Sequence, residues 1–158
     1  MGCACIFCEI IEGRVPVSKV YEDDAVLAFM DLYPMRPGHV LVIPKKHHLS
    51  VLTLDQCLRS HIFEVAVRVA KAQMEVGLSC VAHNFFINDG PDANQHVPHV
   101  HLHVLPRTGG DLYKAMLSFT SRFNNVFGKA AKRKKLDSLA TKIGEKMPLD
   151  VDAQKEEQ

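Results

Sequence analysis

No stretch of the chain approaches eighteen unbroken apolar residues, so a membrane-spanning helix is not expected. Neither sign of charge prevails. Nineteen Lys and Arg stand against eighteen Asp and Glu, a formal net charge of +1, which argues against a chain-wide field for nucleic acid. The opening residues, MGCACIFCEIIEGR, place no basic segment ahead of an apolar run, so no secretory signal is expected. Gly2 and Cys3 invite acylation, but the myristoylation pattern wants Ser or Thr at position 6, where this chain has Ile6; membrane anchoring is not expected. Cysteines are too few and too crowded for a disulfide framework: five in all, with Cys3, Cys5 and Cys8 in the first eight residues and Cys57 and Cys80 apart. Free or metal-bound thiols in a reducing compartment fit better, hence a cytoplasmic location. The basic run Lys129–Lys135 also admits a nuclear one, although a solvated helix face is the plainer reading. There is no internal repeat and no low-complexity segment.

What remains is an ordinary globular composition, 47% hydrophobic and 23% charged, in a length of 158 residues that suits one domain and an appended element. Val17–Tyr21 and Ala25–Met30, joined by an acidic turn, predict a hairpin. His39–Ile43 predicts a strand stopped by Pro44. Leu54, Leu58, His61, Ile62, Val65, Val69 and Ala72 recur at threes and fours, which predicts a helix from about Thr53 to Gly77. Thr53 is its expected N-cap, with Gln56 completing a capping box, and Gly77 its C-terminal stop. Phe85–Asn88 and His99–Leu105 predict two more strands. Strands, one long helix and strands again indicate an α+β fold with an antiparallel sheet. Beyond Gly110, Leu112, Met116, Phe119, Phe123, Phe127 and Ala130 form a helical stripe. The expected organisation is a domain over 5–108, an amphipathic helical extension over 109–149 and a disordered tail over 150–158.

Nine histidines are present, and three of them, His99, His101 and His103, alternate with Val100, Leu102 and Val104. Strand geometry puts the three imidazoles on one face and the aliphatic residues in the core. An isolated histidine such as His61 or His83 is usually a satisfied structural residue. Three on one face would cost roughly 1–3 kcal/mol each if buried without partners, so the row reads as a chemical site, for metal ligation or for phosphoryl transfer. The flanking Asn88–Gln95 loop favours phosphate, because amides and loop N–H groups bind an anion without adding competing metal ligands.

The stretch NDGPDANQHVPHVHLHVLPR resembles the signature of the histidine triad family, and the block from Asp31 to His47 (DLYPMRPGHVLVIPKKH) and the opening CIFCEII resemble two further family segments. The resemblance spans about residues 5–108, in three ordered motifs. It implies an antiparallel sheet of about five strands with one long helix packed on it, in a two-fold homodimer that hydrolyses or transfers nucleotides. It implies His101 as the nucleophile that attacks the α-phosphorus, His103 as the group that assists the leaving group, and His99 as the third catalytic-strand histidine. Asn88, Gln95, His96 and Val97 match the phosphate-side loop, Asp31 the ribose-binding acid, and Ile6, Phe7, Ile10, Phe29 and Leu32 the base pocket, which would take a purine. Two positions depart from the family: His96 replaces a usual Ser or Thr, and Asn94 a usual Gly.

A Cys-x-x-Cys pair is a weak signal by itself. In some branches of the family it binds zinc together with the histidine after IPKK and the first triad histidine, which here implies Cys5, Cys8, His47 and His99, a suitable set for a structural ion. His48 is the neighbouring alternative to His47. The expected substrate is an AMP-like conjugate such as a nucleoside phosphoramidate. A dinucleoside polyphosphate hydrolase and a non-catalytic nucleotide-binding adaptor are the alternatives. No organic cofactor is expected.

Overall fold

The computed structural model describes residues 5–110 and 129–147. Its elements are α1 (Ile6–Ile11), β1 (Lys19–Glu22), β2 (Val26–Met30), β3 (Val40–Pro44), α2 (Gln56–Glu75), β4 (Ala82–Ile87), β5 (Leu102–Arg107) and α3 (Lys129–Lys146). The five strands form one antiparallel sheet in the order β1-β2-β3-β5-β4. The expected α+β architecture, a single sheet with one long helix on it and a helical C-terminal extension, is therefore the observed one. The stripe Leu112–Phe127 and the tail from Asp150 lie outside the described residues.

Alternation of side chains divides the sheet into two unlike faces. Val26, Ala28, Met30, Val40, Val42, Val100, Leu102 and Val104 face α2, where Ile62, Val65, Ala66 and Val69 meet them in the main core. Leu27, Phe29, Leu41 and Ile43 point the other way and pack with Cys5 and Phe7 around α1. The helix α3 adds Leu136, Ala140, Ile143 and Met147 to the α2 side. Ser18 donates to Asp137 at 2.6 Å and fastens α3 beside β1. Gly144 permits that approach: a Cβ there would stand 2.7 Å from the Val20 carbonyl oxygen. Within the basic run, the Lys132 ammonium lies 4.7 Å from the centre of the Tyr33 ring, and Lys134 and Lys135 face solvent.

Three local expectations are corrected. Asp55, not Thr53, caps α2, its Oδ1 accepting from the Leu58 amide at 2.8 Å. Thr53 belongs instead to a short 3₁₀ turn that Ser50 caps, so Gln56 opens the helix rather than closing a capping box. β4 begins at Ala82 and ends at Ile87. The histidine strand begins at Leu102, because the His99 amide turns to the Val97 carbonyl and the Val100 amide to His48. It continues through Pro106, which pairs with His83 of β4 and lies beyond the last β3 pair, Val40–Val104. His61 and His83 are structural, at 2.7 Å from Asp23 and 3.3 Å from Cys80.

Candidate active site and zinc centre

Four ligand atoms converge where α1 meets the ends of β3 and the run into β5. Cys5 precedes α1 and Cys8 lies one turn into it, so both thiols point the same way. His47 follows β3 and His99 precedes β5. Cys5 Sγ is 3.5 Å from His99 Nδ1, Cys8 Sγ is 3.2 Å from His47 Nδ1 and 3.8 Å from His99 Nδ1, and the two Nδ1 atoms are 3.3 Å apart. A tetrahedral zinc ion, with Zn–S of about 2.3 Å and Zn–N of about 2.0–2.1 Å, requires S···N of about 3.6 Å and N···N of about 3.3 Å. The cluster has the dimensions of that cage. His99 Nε2–H donates to the Pro44 carbonyl at 2.8 Å, which fixes the ring and turns Nδ1 to the metal position. Burial pushes the His99 pKa down to about 4, so the ring is neutral and ready to ligate. The cluster is a structural zinc site, and it uses His47; the His48 ring goes to Thr53 Oγ1.

The second cluster lies beside the cage on the same face. His101 Nδ1–H donates to the His99 carbonyl at 2.7 Å, which leaves Nε2 with the lone pair. Burial lowers the His101 pKa, opposed by the His99 carbonyl and the charge of Asp31, while His96 lowers it further. Phe7 presents its ring edge-on to His101 at 5.4 Å between centroids. His103 Nδ1 is 2.9 Å from Nε2 of the fully buried His39, whose Nδ1 is 3.3 Å from Asp31 Oδ2 and 3.3 Å from the Met35 amide. His39 thus meets a carboxylate when Nδ1 carries the proton and an N–H donor when it does not, and both tautomers are served. Asp31, His39 and His103 also lie within metal-binding distance of one another. Yet His39 turns opposite ring nitrogens to its two neighbours, the arrangement of a hydrogen-bonded chain rather than a chelate.

Of the expected base-pocket residues, Phe7, Phe29 and Ile10 share one apolar cluster, with Phe7 and Phe29 edge-to-face at 5.5 Å, and Val97 joins it from the loop before the histidine strand. Ile6 is exposed beside it on α1. Leu32 is not part of this group and packs with the α2-side core. The phosphate-side loop is braced from within. Gln95 accepts from the Gly90 amide and donates to the Leu49 carbonyl, and Asn88 reaches the Asn94 carbonyl. Asp89 holds Ser50 and the Val51 amide. Asn94 adopts the left-handed conformation with φ of 60°, which asparagine tolerates where glycine is usual. His96 is exposed on this loop.

Two residues near the chemistry were not singled out in the sequence, His39 and Phe86. Alternation could have put Phe86 on the face of Asn88, two residues on, but His39 is brought beside His103 by the β3–β5 register, in which Leu41 pairs with His103. Phe86 pairs directly with His103 across β4 and β5 and stacks on it, with centroids 4.3 Å apart and planes 7° from parallel.

The HIT domain model matches residues 12–110. The chain belongs to the histidine triad (HIT) family. Among relatives of this HIT protein, a HIT-like protein of Borreliella burgdorferi is 42% identical over 108 residues, 68% of this chain and 78% of that one. A zinc-bound histidine triad family protein from Mycobacterium smegmatis is similar in structure with a TM-score of 0.71 at 32% identity, over 90% of this chain and 96% of its own. A histidine triad nucleotide-binding protein from Candida albicans gives 0.61 at 32% identity, over 66% of this chain and 76% of its own. The first of these solved structures is zinc-bound, and the four ligands here have the geometry to hold such an ion.

Proposed function

We propose that this HIT protein binds a purine nucleotide conjugate and hydrolyses it through a nucleotidyl-histidine at His101. The observation that carries the reading is the 2.7 Å bond from His101 Nδ1 to the His99 carbonyl, which makes Nε2 the nucleophilic nitrogen of a neutral ring. Nε2 attacks the α-phosphorus, forming a P–N bond as the bond to the leaving group breaks. His103 supplies a proton to the departing nitrogen or oxygen and recovers it from water through the His39–Asp31 chain. Water then attacks the phosphorus, His101 departs and a nucleoside monophosphate is released. The base would lie against Phe7, Ile10, Phe29 and Val97, with Ile6 at the rim. Asp31 Oδ1 already accepts from the Tyr33 amide, and Oδ2 faces His39, so a ribose hydroxyl would share this carboxylate. The favoured substrate is an AMP-like phosphoramidate, with a dinucleoside polyphosphate as the other hydrolytic candidate. Quenching the enzyme with a fluorogenic AMP amide or with a diadenosine polyphosphate should leave a nucleotidyl adduct on His101, read by mass spectrometry. Turnover without any adduct would overturn the covalent route.

The second reading is a nucleotide-binding protein without turnover. It is favoured by the cage, which takes His99 out of the chemistry and leaves two of the three triad histidines, and by the nucleotide-binding description of the Candida relative. Tight binding of AMP with no turnover across a broad nucleotide panel would select it.

A two-fold homodimer joined along β4 completes the proposal. β4 ends the sheet with half-exposed side chains, and Phe85 meets Phe63 of α2 at 5.6 Å where both face solvent. Pairing identical apolar patches across a two-fold axis is the commonest way to cover them. Sedimentation at low micromolar concentration should show the pair, and a monomer of about 18 kDa would refute it.

A further inference from the structure

We infer that Phe86 is a positioning residue for His103, a flat plate that holds the imidazole in the plane from which it can serve the leaving group. The inference rests on the assignment of His103 under the proposed function and adds a residue to it. His103 Nδ1 meets His39 Nε2 at 2.9 Å, and the torsion between Cβ and an aromatic ring is broad and roughly two-fold, so a flat neighbour defines the ring plane better than an edge contact does. His101 stands at 60° to His103, with centroids 4.9 Å apart, and His39 is tilted by 30°. Neither lies flat against the ring. Phe86 does, at 4.3 Å and 7°, directly opposite His103 in the β4–β5 register. The contact therefore restricts that torsion and, with the His39 bond, sets the plane of the His103 ring next to His101. An aromatic face also favours the cationic form of a stacked imidazole over the neutral one, the form that must exist when His103 delivers its proton. Leucine at the same site would keep the apolar volume and lose the plane.

The test compares Phe86→Leu with Phe86→Tyr in the zinc-loaded full chain, with zinc content as the check that both fold. Phe86→Leu should lower kcat about tenfold, a part of the 10²–10⁴ that a placed general acid contributes, while KM stays within about twofold. Phe86→Tyr should restore kcat. In NMR spectra the ring protons of His103 should carry an upfield ring-current shift in the native and Tyr proteins and lose it in the Leu protein. Wild-type kcat in the Leu variant, or equal loss in both variants, would overturn the inference. If no substrate is turned over at all, the catalytic reading falls by itself, and the ring-current comparison still decides whether Phe86 holds the ring.

Discussion

The cage and the cleft are built from the same residue type on the same face of the sheet, yet they do opposite things with it. In the cage, Cys5, Cys8, His47 and His99 turn every ligand atom inward to one point, and the ring nitrogen of His99 left over is tied to the Pro44 carbonyl. In the second cluster the rings do not converge: His101 turns Nδ1 to the His99 carbonyl and His103 turns Nδ1 to His39, each linked to a neighbour in the protein. What separates them is the direction of the rings. Nitrogens that converge on one point suit an ion, and imidazoles linked one to the next suit the relay of a proton. The two are also in series, because the carbonyl that orients His101 belongs to a residue the metal fixes.

The contrast can be broken most sharply at its reactive end. On the proposed covalent route, His101→Ala should lower turnover by about 10⁴-fold or more while nucleotide binding and zinc content persist, since only the proposed nucleophile is lost. Steady-state kinetics beside equilibrium binding reads this, and a variant keeping a hundredth of the native rate would end the covalent assignment. Breaking the cage comes next. The purified protein should hold about one zinc per chain by metal analysis, and Cys5→Ser/Cys8→Ser should lose it together with several kcal/mol of stability. Turnover in that variant should fall about 10–100-fold, the usual effect of a disturbed supporting shell, and less than for His101→Ala. His39→Gln should lower kcat about tenfold with zinc retained, separating the chain behind His103 from the cage. The smallest effect concerns acid. Burial holds His101 below its unfolded value of 6.5, so below that pH the unfolded chain takes up a proton that the folded chain refuses. The contribution of this group is therefore fully present above pH 6.5 and is lost as pH falls towards the lowered folded pKa. Thermal denaturation between pH 7 and pH 5 should show a declining Tm, and His101→Asn should flatten that decline.

Much of this was legible in the chain because it depends on period and spacing. Val100, Leu102 and Val104 alternate with three histidines, and alternation alone assigned the former to the core and the latter to a common face. The cage needed the family resemblance to link four ligands spread from residue 5 to residue 99. The start of β5 was misplaced by three residues because the destinations of the His99 and Val100 amides, Val97 and His48, depend on tertiary contacts. His39 escaped notice because it read as the first residue of an apolar strand. Its burial beside His103 follows from register between β3 and β5, which no local pattern fixes. Leu32 looked equivalent to Phe29 but stands an odd three residues after it, so alternation carries it to the α2 side with Met30.

The close seat of α3 on β1 has a consequence for assembly. Strand β1 carries an irregularity between Lys19 and Tyr21, and at Val20 its carbonyl meets the backbone of α3 at Gly144. Bulging and covering are both ways to disable an edge against strand addition. The other end of the sheet, β4, is regular along its whole register with β5. A sheet with one disabled end and one regular end can be extended once, by a copy in the opposite sense, and the product has a disabled end on each side. In the pair proposed above, the helix that completes the core would therefore also cap the sheet, leaving a covered edge at each outer end.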